Sequence, residues 1–132
     1  MNISNIANLA LLNACRQIFN SLSYYNPNGE SDLPIHIVLD TTNKDLKLPQ
    51  QLIDNNPQQI TLVLQHKFKD LKVSNKGVSV ILFFQQIPHE CFLPYEAMLQ
   101  IIFDSLGSIV NINYSQIPNN IKDNVIKFPS NK

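Results

Sequence analysis

Glycine is scarce in this chain of 132 residues, and the three present, Gly29, Gly77 and Gly107, stand alone. Phosphate cradles need clustered glycines at the opening of a helix, so a nucleotide enzyme is excluded. Cysteine is rarer still. Cys15 and Cys91 lie far apart and form no C-x-x-C pair, which argues against a disulfide framework and a zinc site and suits a reducing compartment. Excess charge is missing too: Lys plus Arg total 10, as do Asp plus Glu, for a formal net charge of 0. The broad positive field that holds nucleic acid through its phosphates is therefore absent. No apolar run approaches the ~20 residues of a membrane-spanning helix. A secretory signal is not expected either, because the first basic residue is Arg16 and asparagines interrupt the segment ahead of it. These absences point to a cytoplasmic chain with neither a membrane nor a nucleic-acid partner.

What is present fits one domain able to bury roughly two thirds of the surface that its unfolded form exposes. From residue 2 to about 25, Ile3, Ile6, Ala7, Ala10, Leu11, Ala14 and Ile18 recur at three-four spacing until Asn26-Pro27-Asn28-Gly29 stops the pattern, predicting one long helix. Leu9, Leu12, Phe19 and Leu22 widen its apolar surface beyond one stripe, as expected if it touches its own domain on one side and a second chain on another. Burial of one broad face within a monomer is the alternative. Residues 34–40 read as a strand with Ile35, Ile37 and Leu39 on one face, and Pro49 is placed to open a short helical turn. Residues 58–67 form a second strand, with Ile60, Leu62 and Leu64 turned one way and Thr61, Val63, Gln65 and Lys67 the other. A third strand, 78–84, is apolar on both faces, which requires something to cover the second one. Another antiparallel strand follows over 86–93. Pro94 then opens a helix from Tyr95 to about Ser105 with Met98, Ile101 and Ile102 inward, and 109–114 is a last short strand. From Ser115 onward prolines and asparagines accumulate, predicting a flexible tail. The pattern implies an α+β fold, mostly β: a small curled sheet or partly open barrel with helices packed against it.

Reaction chemistry is not visible. His36, His66 and His89 fall on different elements, and none has a Cys, Asp or Glu at ligand spacing. Cys91, beside Glu90, reads as a small packed hydrophobe. No catalytic residue, metal or cofactor is expected.

The stretch 60–104, ITLVLQHKFKDLKVSNKGVSVILFFQQIPHECFLPYEAMLQIIFD, taken with the rest of the chain, resembles the stringent starvation protein B (SspB) family, most closely its alphaproteobacterial branch. That resemblance implies a non-enzymatic adaptor that delivers ssrA-tagged polypeptides to the ClpXP protease, as a homodimer with an Sm-like barrel in each body. It implies a tag-binding and dimerisation domain over 1–114, joined through the N-terminal helix at Ile6, Ala10 and Ala14, and a flexible tail over 115–132. Thr61-Leu62-Val63-Leu64-Gln65-His66 looks like the strand that lines the tag-binding groove, and Gln65 matches a glutamine implicated in tag contact. Its amide both donates and accepts, so it pairs with a peptide backbone without needing charge. Without the resemblance, Gln65 reads first as a solvated strand residue. Val63 shares its face, Ser79 and Ile81 lie opposite the groove, and Lys67 and Phe68 form its rim. For Ile81 and Phe83, burial in a core or dimer is an equal alternative.

One departure stands out. Phe84-Gln85-Gln86-Ile87-Pro88 falls where the family shows phenylalanine and small or glycine residues before a proline, so a wider turn or shifted register is expected. In the tail, Val125, Ile126, Lys127 and Phe128 resemble the apolar and basic module by which the family docks on the N-terminal domain of ClpX. The rival readings are an Sm-like RNA-binding module and a structural dimer without tag binding.

Overall fold

The computed structural model describes residues 3–25, 34–64, 68–103 and 108–110. Helix α1 (Ile3–Tyr25) turns Leu9, Leu12, Cys15, Phe19 and Leu22 into the core. The strip anticipated from three-four spacing faces outward instead: Ile6 is 53% exposed, Leu11 and Ile18 are each 37% exposed, and Ala10 and Ala14 are exposed. The residues that widened the stripe are thus the ones that bury it.

Two antiparallel sheets make up the body. Sheet A has the order β2-β1-β6-β7 and sheet B the order β3-β4-β5, with β1 at Ile35–Asp40, β2 at Gln59–Leu64, β3 at Phe68–Val73, β4 at Gly77–Phe84, β5 at Ile87–Pro94, β6 at Met98–Phe103 and β7 at Ser108–Val110. The class is the α+β one expected from sequence, and among the described residues the sheets are open and do not close into a barrel. The turn begun by Pro49 is α2 (Gln50–Asn55). Between β1 and α2, Leu46 and Leu48 are buried and Lys47 bridges to Phe92 of β5. Ile37, Leu39, Leu64, Val78, Leu93 and Ile101 meet α1 in a single core, the large contiguous burial that a one-domain chain requires.

Two elements differ from expectation. The helix anticipated over 95–105 is a single 3-10 turn, Tyr95–Ala97, followed by β6. Pairing with β1 slips there, with Val38 opposite Gln100 and Leu39 opposite Met98, so Leu99 bulges out and is 41% exposed. The bulge separates the buried Met98 and Ile101 by three positions, a spacing that imitates a helix. Strand β3 was not anticipated at all. Lys69 pairs with Ile81 and Lys72 with Ser79, so Asp70 and Leu71 together oppose Val80, and Asp70 takes a φ of 51°. The inward Phe68 and Leu71 are again three apart, which hides the two-residue period.

The β4–β5 hairpin keeps its tight form despite the missing glycines. Phe84 pairs with Ile87, and the two loop residues Gln85 and Gln86 have φ of 52° and 67°, the positive pair that a two-residue hairpin turn demands. Neither a wider turn nor a shifted register is needed. Left-handed backbone costs a side-chain-bearing residue roughly 1–2 kcal/mol, part of which glycine returns as unfolded-state entropy. Gln86→Gly should therefore raise stability by about 0.5–1 kcal/mol in equilibrium urea unfolding; a drop in the midpoint would contradict the left-handed turn.

Candidate functional site

The outward face of sheet B follows from its register. Lys72, Ser79, Phe92 and Lys47 form one cross-strand row, and Lys69, Ile81 and Glu90 form the next. Paired residues on neighbouring strands share a face, so these side chains point away from the core that Val78, Val80, Leu82, Cys91 and Leu93 fill on the other side. A surface pocket of about 360 Å³ opens among them, with Val80, Ile81, Cys91 and Phe92 in its apolar lining and Lys47, Lys72, Asp70 and Glu90 around them. Among the described residues no ion pair joins these four charged groups. The ammonium of Lys69 lies 5.9 Å from the centre of the Phe83 ring, a distance at which a cation is attracted to an aromatic face. Three lysines stand against two carboxylates, which keeps the face close to neutral. An extended polypeptide, with amides to satisfy and apolar side chains to bury, suits it better than a polyanion.

The positions singled out from sequence divide. Ser79 is exposed, Ile81 is half-buried, and both line this pocket. Val63 is 48% exposed but lies on β2 in sheet A, outside the pocket lining. Phe68 is 2% exposed and belongs to the core, so it offers no rim, because its register opposite the buried Leu82 turns its side chain inward. Gln65, Lys67, Val125, Ile126, Lys127 and Phe128 lie outside the described residues. Lys47, Lys72, Glu90 and Phe92 were not anticipated. Alternation along 86–93 would have set Glu90 and Phe92 outward, whereas Lys72 is hidden behind the bulge and Lys47 reaches the face through an isolated bridge.

Nucleophilic chemistry finds no support at either thiol. Burial pushes the Cys15 pKa up to about 11. It also raises that of Cys91, against smaller opposing effects of a hydrogen bond with the Leu82 backbone and the charge of Lys47. Both remain protonated at neutral pH, the unreactive form. Among the described residues no three His, Cys, Asp or Glu side chains gather as metal ligands, and no helix is long and apolar enough to cross a membrane.

The family model for stringent starvation protein B matches residues 10–120. That span takes in most of α1, both sheets and the candidate pocket. No curated protein matches the chain. The chain belongs to the stringent starvation protein B family, a family of adaptors.

Proposed function

We propose that this protein is a non-enzymatic delivery factor that holds ssrA-tagged polypeptides through its folded body and tethers them to ClpX, leaving degradation to ClpXP in the cytoplasm. The observation that carries this reading is the family match over residues 10–120. The near-neutral, partly apolar face around Ser79 and Ile81 and the exposed Val63 support it, because peptides without a dominant charge are recognised by backbone pairing and side-chain pockets. Gln65 and Lys67 complete the proposed tag contacts. The same face speaks against an RNA-binding role, since Asp70 and Glu90 offset the lysines that phosphate contacts would use.

Two copies associate, in this reading, through the outward strip of α1 at Ile6, Ala10 and Ala14. Small residues in the middle of such a strip let two helices approach closely, and the larger Ile3, Leu11 and Ile18 flank them. Val125, Ile126, Lys127 and Phe128 dock on the N-terminal domain of ClpX. A linker of about ten residues reaches roughly 17 Å as a flexible chain, and two tails on a dimer raise the effective concentration of a weak docking peptide.

Three outcomes are expected. Calorimetric titration with a synthetic ssrA-tag peptide gives saturable binding at micromolar concentration, and no heat up to high micromolar would remove the tag-binding claim. Deleting residues 125–132 leaves that binding intact while abolishing accelerated degradation of a tagged substrate by ClpXP; equal acceleration by the shortened protein would refute the tether. Ala14→Glu places a charge in the strip of α1 and shifts sedimentation from dimer to monomer, whereas an unchanged dimer would move the interface elsewhere.

A further inference from the structure

An open sheet presents unpaired N–H and C=O groups along its outer strands, and proteins blunt such edges with bulges, charges, prolines or a covering element. Strand β3 carries three of these protections. It bulges at Asp70 and Leu71, it bears Lys69 and Lys72, and the hydroxyl of Ser23 on α1 donates to the Leu71 carbonyl at 2.8 Å. The outer side of β5 is occupied where Lys47 and Phe92 exchange backbone hydrogen bonds, each 3.0 Å. Strand β7 is only three residues long. Among the described residues, strand β2 differs from all of these. Its sequence QITLVL contains no charge, proline or glycine, it runs in unbroken register against β1 from Gln59 to Leu64, and it ends its sheet.

The register also identifies which of its backbone groups face outward. The Thr41 N–H donates to the Gln58 carbonyl at 3.1 Å, and these two residues stand opposite each other one step beyond the Asp40–Gln59 pair. In an antiparallel ladder, residues that exchange hydrogen bonds with the partner alternate with residues that do not. Ile60, Leu62 and Leu64 therefore bond to β1, while the N–H and C=O groups of Gln59, Thr61 and Val63 point away from it. The side chains of these same three residues are exposed.

We propose that the outer edge of β2 takes up the bound peptide as an added strand, hydrogen-bonded to the main chain of Gln59, Thr61 and Val63. This rests on the peptide-binding reading above and assigns its geometry. A strand of this length extends about 20 Å and pairs with about six peptide residues. The occupant is a peptide rather than a second copy of β2, because the apolar strip of α1 already offers copies a broader surface, and because Gln65 follows the edge directly in sequence. Recognition through main-chain groups makes the edge tolerant of side-chain identity, so selectivity falls to contacts made by the peptide's side chains.

Titration with a series of ssrA-tag peptides, each N-methylated at one amide, tests this. Methylation at alternating positions should weaken binding tenfold or more, and methylation at the intervening positions should change it less than twofold. Thr61→Pro removes one outward donor without touching a bond to β1 and should weaken binding at least fivefold, whereas Thr61→Val should bind as the parent does. Should Thr61→Pro fail to fold, the peptide series decides alone. Binding of the parent peptide with equal affinity across the whole methylated series would overturn the added strand and leave the adaptor reading standing; no binding of the parent peptide would overturn both. Conversion of a dimer to a monomer by Thr61→Pro would assign the edge to a second copy and likewise overturn the proposal.

Discussion

The single arginine of the chain ties three parts of the molecule together. Arg16 is 3% exposed on the inner side of α1. Its Nη2 donates to the Asn75 carbonyl at 2.6 Å, and its guanidinium lies 5.0 Å from the centre of the Tyr95 ring. Tyr95 in turn reaches the same β3–β4 turn, with its hydroxyl donating to the Ser74 carbonyl at 3.1 Å and its N–H to Lys76 at 3.0 Å. A buried cation is retained only where such partners surround it, and each hydrogen bond it makes contributes about 1.5–3 kcal/mol. The clamp fixes α1 in rotation as well as position. With Arg16 inward, Ala10 and Ala14 must face out, and Ser23, about two turns further along, meets the bulged carbonyl of Leu71. The outward strip of the helix and the closed edge of β3 are both consequences of it.

Period-two alternation identified β1, β2 and β4 because each runs without interruption along its inward side. It failed at β3 and β6 for one shared reason. Each contains an extra residue, at Asp70–Leu71 and at Leu99, and each bulge resets the inward face by one step. In β6 the resulting spacing of Met98, Ile101 and Ile102 behind Pro94 imitates the start of an amphipathic helix, so a strand reads as a helix. A bulge depends on what the neighbouring strand does, and a single-strand pattern holds no record of that. The hairpin at Gln85–Gln86 shows the reverse. Local preference argues against a tight turn there, yet eight successive pairs between β4 and β5 hold it closed, and Gly77 at the far end meets Pro94 so closely that an added Cβ would lie 2.8 Å from its Cα.

The candidate site was legible to a similar extent. Ser79 and Ile81 followed from the alternation of β4, which is regular. Phe68 lies inward because it pairs with the buried Leu82 in a strand that the alternation did not reveal. Lys72 and Lys47 belong to the site only through cross-strand neighbours, and so depend on sheet order rather than on sequence spacing. No periodicity distinguishes a face that binds peptide from one that is merely solvated. Reading this one as a peptide-binding face belongs to the proposal above, which rests on membership of the family.

The proposed main-chain edge has an energetic consequence for how an adaptor that uses it must work. Ordering about six residues of an unfolded tag costs roughly 1–2 kcal/mol each, some 6–12 kcal/mol in all. Three outward residues offer six backbone groups, and each hydrogen bond returns only about 1 kcal/mol net. Backbone pairing alone therefore leaves the peptide unbound or barely bound. The remainder must come from burial of tag side chains, at ~25 cal/mol per Å² of apolar surface, against exposed apolar groups of the strand itself such as Val63. An edge that is open to every extended chain and sufficient for none is a filter: only tags whose side chains bury enough apolar surface beside it cross the threshold. A neutral, shallow face meets that requirement better than a strongly charged one, because it adds no attraction of its own to chains that fail to fit.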